Sequence, residues 1–126
     1  MRKKILFVDD EEDIRTVVKI LLTKSGYDVT VSEDADFIHG IETEKQPDLY
    51  LLDRRLAKVD ALEICYILKS HPKTKHIPVI MLSADPKVKD LYKDAGADAF
   101  ISKPFDIKNL TETIASFLEK KKSLSV

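Results

Sequence analysis

The chain has 126 residues, 44% of them hydrophobic and 34% charged, and its 21 basic and 22 acidic side chains leave a net charge of −1. That length implies one domain with a real core. The composition excludes a disordered chain and a membrane protein, and the charge balance argues against nucleic-acid binding as the main activity. One cysteine, Cys65, excludes an intrachain disulfide and a multi-cysteine metal site. The basic start Met1-Arg2-Lys3-Lys4 leads into an apolar run that breaks at Asp9-Asp10, too short for a signal peptide. A cytoplasmic location is expected.

Residues 4–8 form a short, continuous apolar run, the mark of a strand buried on both faces. After Asp9-Asp10-Glu11-Glu12-Asp13, the residues Ile14, Val17, Val18, Leu21 and Leu22 repeat as an amphipathic helical stripe. Acids in its first turn suit the helix dipole, and Gly26 stands at the left-handed C-cap. Tyr27 to Val31 reads as a second strand, and residues 35–44 as a poorer helix with Phe37, Ile38 and Ile41 on one side and Gly40 inside it. Residues 48–52 are the third strand. Asp60 can cap a third helix striped by Ala61, Ile64, Cys65 and Leu68. Val79-Ile80-Met81-Leu82 is a fourth strand, and Asp85-Pro86 opens a short fourth helix with Val88, Leu91, Tyr92 and Ala95 inward and Gly96 as its stop. Residues 98–101 are the fifth strand. Asp106 caps a last helix with Ile107, Leu110, Ile114, Phe117 and Leu118 inward, and Lys120-Lys121-Lys122 complements its negative end.

Strand and helix thus alternate five times, which predicts an α/β fold: a parallel sheet with helices on both faces. Right-handed crossovers and a central first strand make 2-1-3-4-5 the expected order. In that order strands one, three, four and five are neighbours. Their C-terminal ends carry Asp9-Asp10, Asp53, Ser83 and Lys103, which the fold would gather into one pocket at the switch point. Three crowded carboxylates cannot all stay ionised without cationic help. Lys103 supplies one charge, and a hard divalent cation such as Mg²⁺, which takes carboxylates, waters and a phosphate oxygen, would supply the rest. Such a set suits phosphoryl transfer with Asp53 as nucleophile, its charge neutralised by Lys103 and the metal, and Ser83 bonding a phosphoryl oxygen afterwards. Taken singly, each piece has a plain structural reading: a helix-start acid, a turn serine, a solvated lysine. Their conjunction at four strand ends carries the prediction.

Glycine is confined to positions 26, 40 and 96, so no phosphate-binding glycine loop or dinucleotide fingerprint can be built, and the acidic first loop disfavours flavin. His39, His71 and His76 show no ligand spacing and read as surface or loop residues.

With Ile5-Leu6-Phe7-Val8-Asp9-Asp10-Glu11, Pro47-Asp48-Leu49-Tyr50-Leu51-Leu52-Asp53, Pro78-Val79-Ile80-Met81-Leu82-Ser83-Ala84, Gly96-Ala97-Asp98-Ala99-Phe100 and Lys103-Pro104-Phe105 in view, the sequence resembles the receiver domain of two-component response regulators. The resemblance runs from Lys3 to Lys120. It implies a flavodoxin-like (βα)5 doubly wound sandwich over residues 1–122, with 123–126 as a tail. It also implies roles. Asp53 is the phospho-acceptor. Asp10 and Asp53 hold Mg²⁺ directly, Asp9 reaches it mainly through water, and the Arg55 backbone carbonyl completes the protein ligands. Ser83 is the switch hydroxyl, Lys103 the site lysine, and Phe100 the aromatic switch. The bond between Lys103 and Pro104 is expected to be cis.

The implied partners are a sensor histidine kinase or histidine phosphotransfer protein upstream and a protein target on the surface of the fourth helix, fifth strand and fifth helix. No direct contact with nucleic acid or membrane is expected, and the protein is expected to be a monomer or a phosphorylation-dependent dimer. It would catalyse its own phosphorylation and dephosphorylation without being an enzyme on other substrates. The alternative is a small Mg²⁺-dependent phosphohydrolase acting through an aspartyl phosphate. Such hydrolases carry a second carboxylate two residues after a nucleophile on the first strand; here Glu11 follows Asp9 at that spacing, but no cap segment encloses a substrate.

The chain departs from the family in the loop after Asp53, where Ala57 and Ala61 stand at positions commonly held by Pro and Gly. An Ala in place of a positive-φ Gly predicts a differently shaped loop. Arg55, two residues after Asp53, is expected to alter the lifetime of the phosphorylated state. Dephosphorylation rates of wild type and Arg55→Ala should therefore differ, and equal rates would remove the idea.

Overall fold

The computed structural model describes residues 2–56, 59–84 and 91–119. Five parallel strands, β1 (Lys4–Val8), β2 (Asp28–Ser32), β3 (Leu49–Asp53), β4 (Val79–Ser83) and β5 (Ala99–Ser102), form one sheet in the order β2-β1-β3-β4-β5. The expected 2-1-3-4-5 topology is therefore the observed one. Helices α1 (Glu12–Lys24), α2 (Ala61–Ser70) and α3 (Ile107–Leu118) cover it, together with a 3₁₀ helix over Ala35–Gly40.

All five residues of β3 and all five of β4 are buried, which is why these segments read as unbroken apolar runs. Alternation along β3 splits the core in two. Tyr50 and Leu52 pack with Ile64, Cys65, Leu68 and Met81 on the α2 face. Leu49 and Leu51 pack with Val18, Leu22, Leu110 and Ile114 on the α1 and α3 face.

The helix ends follow their capping residues. The Asp60 side chain accepts from Leu62 N at 2.9 Å and Asp106 from Asn109 N at 2.6 Å. Helix α1 stops at Gly26, whose φ of +102° an L-residue rarely adopts. The predicted α2 stripe is the buried one: Ala61, Ile64, Cys65 and Leu68.

Three expectations are corrected. On α1 the buried residues are Val18 and Leu22, while Val17 is 53% exposed. A helix lying on a twisted sheet buries a narrower stripe than its apolar pattern spans, and Val17 falls on its flank. On α3 the first apolar residue, Ile107, is 38% exposed, because the helix's first turn overhangs the core. The helix expected over residues 35–44 is a 3₁₀ helix of six residues followed by turns. Gly40 and the few apolar residues there give little support for longer α-helix. A groove of about 580 Å³ lies between this segment and β1 and β2, lined in part by Leu6, Thr30, Asp36 and Phe37; Asp9, Asp10, Asp53, Ser83 and Lys103 do not border it.

The expected fourth helix falls largely on residues 85–90, outside the described residues; at its described end Leu91, expected inward, is instead 42% exposed, while Tyr92 is half-buried and Gly96 has φ +90°. Lys120-Lys121-Lys122 and the 123–126 tail also lie outside the described residues, as does Ala57. Ala61 does not need positive φ, because it is the first residue of α2, following Asp60 at φ −81° and ψ 128°.

Cys65 is fully buried, and desolvation pushes its thiol up to about 11. At pH 8 only about one thiol in a thousand would be thiolate even if reagent reached it. Labelling of the native protein by a thiol-reactive disulfide should be slower by at least ~100-fold than labelling in urea. Comparable rates in the two states would mean that the α2 face opens readily.

Candidate functional site

The register of the sheet assembles the site. Val8 pairs with Leu52 and with Ser32, Asp53 with Leu82, and Ser83 with Ser102, so the C-terminal ends of β1, β3, β4 and β5 lie along one edge. Backbone bonds extend this alignment into the loops: Arg54 N donates to Leu82 O at 2.8 Å and Lys103 N to Ser83 O at 2.9 Å. Four segments widely separated in sequence are thereby fixed side by side.

Asp9 is fully buried, Asp53 is 4% exposed, and Asp10 lies exposed at the mouth. Each of the three offers a carboxylate oxygen within 4.8 Å of the others'. Lys103 enters between them, its Nζ 2.6 Å from Asp53 Oδ1 and 3.4 Å from Asp9 Oδ2. The other Asp9 oxygen, Oδ1, accepts from Glu11 N at 2.9 Å, which fixes the start of the first loop. Ser83 is 4% exposed at the end of the neighbouring strand. Phe100 lies on β5 opposite Met81, with its ring stacked on Tyr92 at 5.8 Å and 25°. The peptide between Lys103 and Pro104 is cis.

Among the described residues, the cluster sets three carboxylates around Lys103. Burial, the largest influence, raises the Asp53 carboxyl above its ordinary value. Its hydrogen bond from Lys103 pulls it down, Asp9 and Asp10 push it up, and the balance is upward. Burial alone would lower the Lys103 ammonium, but its bonds to Asp53 and its attraction to Asp53 and Asp9 outweigh this and raise it. In an isolated ion pair the acid would move down as the base moves up. Here both move up, because burial, helped by Asp9 and Asp10, outweighs Lys103 at Asp53. Two unit charges 4.8 Å apart repel by roughly 3 kcal/mol at an effective dielectric constant near 20. The donor set is all oxygen, partly buried and short of positive charge, which fits a hard dication. Asp9, Asp10 and Asp53 could hold one.

The structure also shows contacts that sequence reasoning missed. Arg15 Nη1 donates to the Asp9 carbonyl at 2.7 Å, tying α1 to the site. Arg54 grips Asp60, with Nε to Oδ1 and Nη2 to Oδ2 both at 2.8 Å. Between them, Arg55–Leu56 and Val59–Asp60 form a two-residue antiparallel ladder. The Arg55 backbone thus lies in a regular ladder directly after Asp53. Arg15 carried a weak signal, being a base among acids at a helix start; Arg54 carried none, because its partner is set by the shape of the loop.

The family model for the response regulator receiver domain matches residues 5–115. The chain is 39% identical over 123 residues to the alkaline phosphatase synthesis transcriptional regulatory protein PhoP of Bacillus subtilis, covering 95% of this chain and 50% of that protein. It is 35% identical over 119 residues to the DNA-binding dual master transcriptional regulator RpaA of Synechocystis sp., covering 93% of this chain and 49% of that one. The chain therefore spans about half the length of these curated relatives. Among solved structures, the signal receiver domain of a signal transduction histidine kinase from Syntrophus aciditrophicus is similar at a TM-score of 0.85 and 28% identity, over 94% of this chain and 91% of that one. Aligned strand ends, the acid cluster with its lysine, and a family match over most of the sequence lead to one assignment: the chain belongs to the response regulator receiver domain family.

Proposed function

We propose that Asp53 accepts a phosphoryl group from the phosphohistidine of a sensor histidine kinase or histidine phosphotransfer protein, and that the protein signals through the change this causes. The observation that carries the reading is Asp53 itself: a buried carboxylate at the end of the central strand, bonded by Lys103 and flanked by two further acids. An Asp53 oxygen attacks phosphorus, the P–N bond breaks, and its electron pair leaves on the imidazole nitrogen. Lys103 pairs with the carboxylate before transfer and with the phosphoryl charge after it. Asp9, Asp10, Asp53 and the Arg55 carbonyl would hold Mg²⁺, which when bound neutralises charge on the transferring group. Later attack by water on the same phosphorus releases phosphate and restores the carboxylate.

The Ser83 hydroxyl would take a phosphoryl oxygen, and Phe100, stacked on Tyr92, would respond by shifting the surface of β5, α3 and the segment before Gly96 between two arrangements. That surface would meet a downstream protein or a second copy of the chain. The expectation of no nucleic-acid contact concerns these 126 residues; the DNA binding in RpaA's name belongs to a protein of which this chain spans 49%. Among the described residues no helix is long and apolar enough to cross a membrane, and a cytoplasmic setting fits a phosphohistidine donor.

Two outcomes are expected. Intact-mass measurement after incubation with acetyl phosphate and Mg²⁺ should show one phosphate adduct, absent without Mg²⁺ and absent in Asp53→Asn. No adduct on the wild type would indicate a receiver that has lost phosphorylation, and steady turnover of a phosphoester beyond one phosphate per protein would indicate a hydrolase.

The second concerns stability. A carboxyl whose folded-state value is raised costs stability as pH rises from its unfolded-state value through its folded one, so above the ordinary carboxylate range Asp53 weakens the metal-free fold. Asp53→Asn should leave metal-free stability unchanged or higher by on the order of 1 kcal/mol. Mg²⁺ should raise the wild-type melting temperature more than that of Asp53→Asn. A large destabilisation by Asp53→Asn in thermal unfolding would show that the Lys103 pair outweighs the crowding.

A further inference from the structure

Among the described residues, a bidentate side-chain pair spans the segment that follows the nucleophile. Asp60 Oδ1 accepts both from Arg54 Nε at 2.8 Å and from Leu62 N at 2.9 Å, while Oδ2 accepts from Arg54 Nη2 at 2.8 Å. One carboxylate thus closes the loop and caps α2 together. Backbone bonds close the same unit: Arg54 N donates to Leu82 O at 2.8 Å, and Ala61 N to Arg54 O at 3.3 Å. Inside it, Arg55 pairs with Asp60 and Leu56 with Val59, and Leu56 and Ala61 are buried. The Arg54 and Asp60 side chains are 22% and 38% exposed. A planar guanidinium spanning both oxygens of a carboxylate fixes orientation as well as distance, which a lysine in the same place could not do.

We infer that Arg54 and Asp60 are positioning residues for the metal: their bidentate pair sets the pose of the backbone after Asp53, and with it the Arg55 carbonyl offered to Mg²⁺. The inference rests on the proposed Mg²⁺ site. Neither side chain is a ligand; both act through the backbone between them, as the outer partners of metal ligands commonly do. The pair also links that backbone to the start of α2, so a shift of the helix would be felt at the metal and a bound metal would steady the helix.

Simple charge effects make the opposite forecast for one variant. Removing the Arg54 cation makes the site more negative and should tighten Mg²⁺ binding if only through-space attraction mattered. Loss of positioning should weaken it. Isothermal titration of the metal-free full chain with MgCl₂, with no phosphodonor present, separates the two. Wild type, Arg54→Gln, Arg54→Lys, Asp60→Asn and the double variant Arg54→Gln/Asp60→Asn form the set. Asp60→Asn keeps a good N-cap and so protects α2. Thermal unfolding of each metal-free variant is recorded alongside.

We expect the Mg²⁺ dissociation constant to rise about 10-fold in Arg54→Gln and in Asp60→Asn, with little further change in the double variant. Arg54→Lys should recover only part of the loss. Metal-free melting temperatures should fall by no more than a few degrees. Unchanged or tighter binding in Arg54→Gln overturns the inference, as does a loss of affinity that merely follows a matching loss of metal-free stability. A wild-type chain that binds no Mg²⁺ would instead overturn the proposed metal site, an outcome distinct from wild-type and variant chains that bind alike.

Discussion

The whole arrangement hangs on one ammonium group among carboxylates. Lys103 lies 2.6 Å from Asp53 and 3.4 Å from Asp9, and both acids are almost fully buried. Removing two charged carboxylates from water is costly, and a single pair seldom repays it. The site tolerates this because it lies where strands end and loops begin. There Asp9 can take a second bond from Glu11 N, and Asp10 can face solvent. What remains is a deliberate imbalance, an acid-rich pocket short of positive charge. A chain selected only for stability would have replaced these acids with apolar side chains of similar size.

The scaffold makes that imbalance affordable by keeping it small and fixed. Central strands β3 and β4 are buried along their length, and their ladder bonds set the spacing of Asp53 and Ser83 without help from side chains. Two apolar cores press on the sheet from opposite faces. The acid cluster and Lys103 therefore lie at the C-terminal border of the sheet, where strands give way to loops. On the neighbouring strand β5, the Phe100 ring stacks on Tyr92 and stands opposite Met81.

Much of this could be read from the residues. Unbroken apolar runs located the central strands β3 and β4, because strands buried on both faces leave no room for alternation, whereas the edge strand β2, Asp28–Ser32, alternates and gave a weaker signal. The family and the topology followed from how those runs end, and Asp9, Asp10, Asp53 and Lys103 do converge. Strand ends were misjudged by one residue: Asp53 and Ser83 belong to the ladder because backbone pairing continues after apolar character stops. Val17 and Ile107 misled because helical periodicity states which residues share a face, not how deeply that face sinks. The 3₁₀ helix was unreadable for a related reason: a short segment with weak propensity takes whatever shape its neighbours leave it. The Arg54 clamp was beyond any pattern, since it exists only once the loop has its shape.

The two halves of the site differ in how firmly they are built. Asp53 sits in a strand with parallel partners on both sides, so displacing it requires tearing the sheet, and β3 amides should exchange with solvent only through global unfolding. The segment just beyond it is joined, among the described residues, by two rungs of ladder and the partly exposed Arg54–Asp60 pair, and so has fewer partners than the strand. Substitutions at Arg54 or Asp60 can therefore alter the backbone after Asp53 while Asp53 itself stays where the sheet puts it. Variation in the loop, with constancy in the strand, is what this division of labour permits.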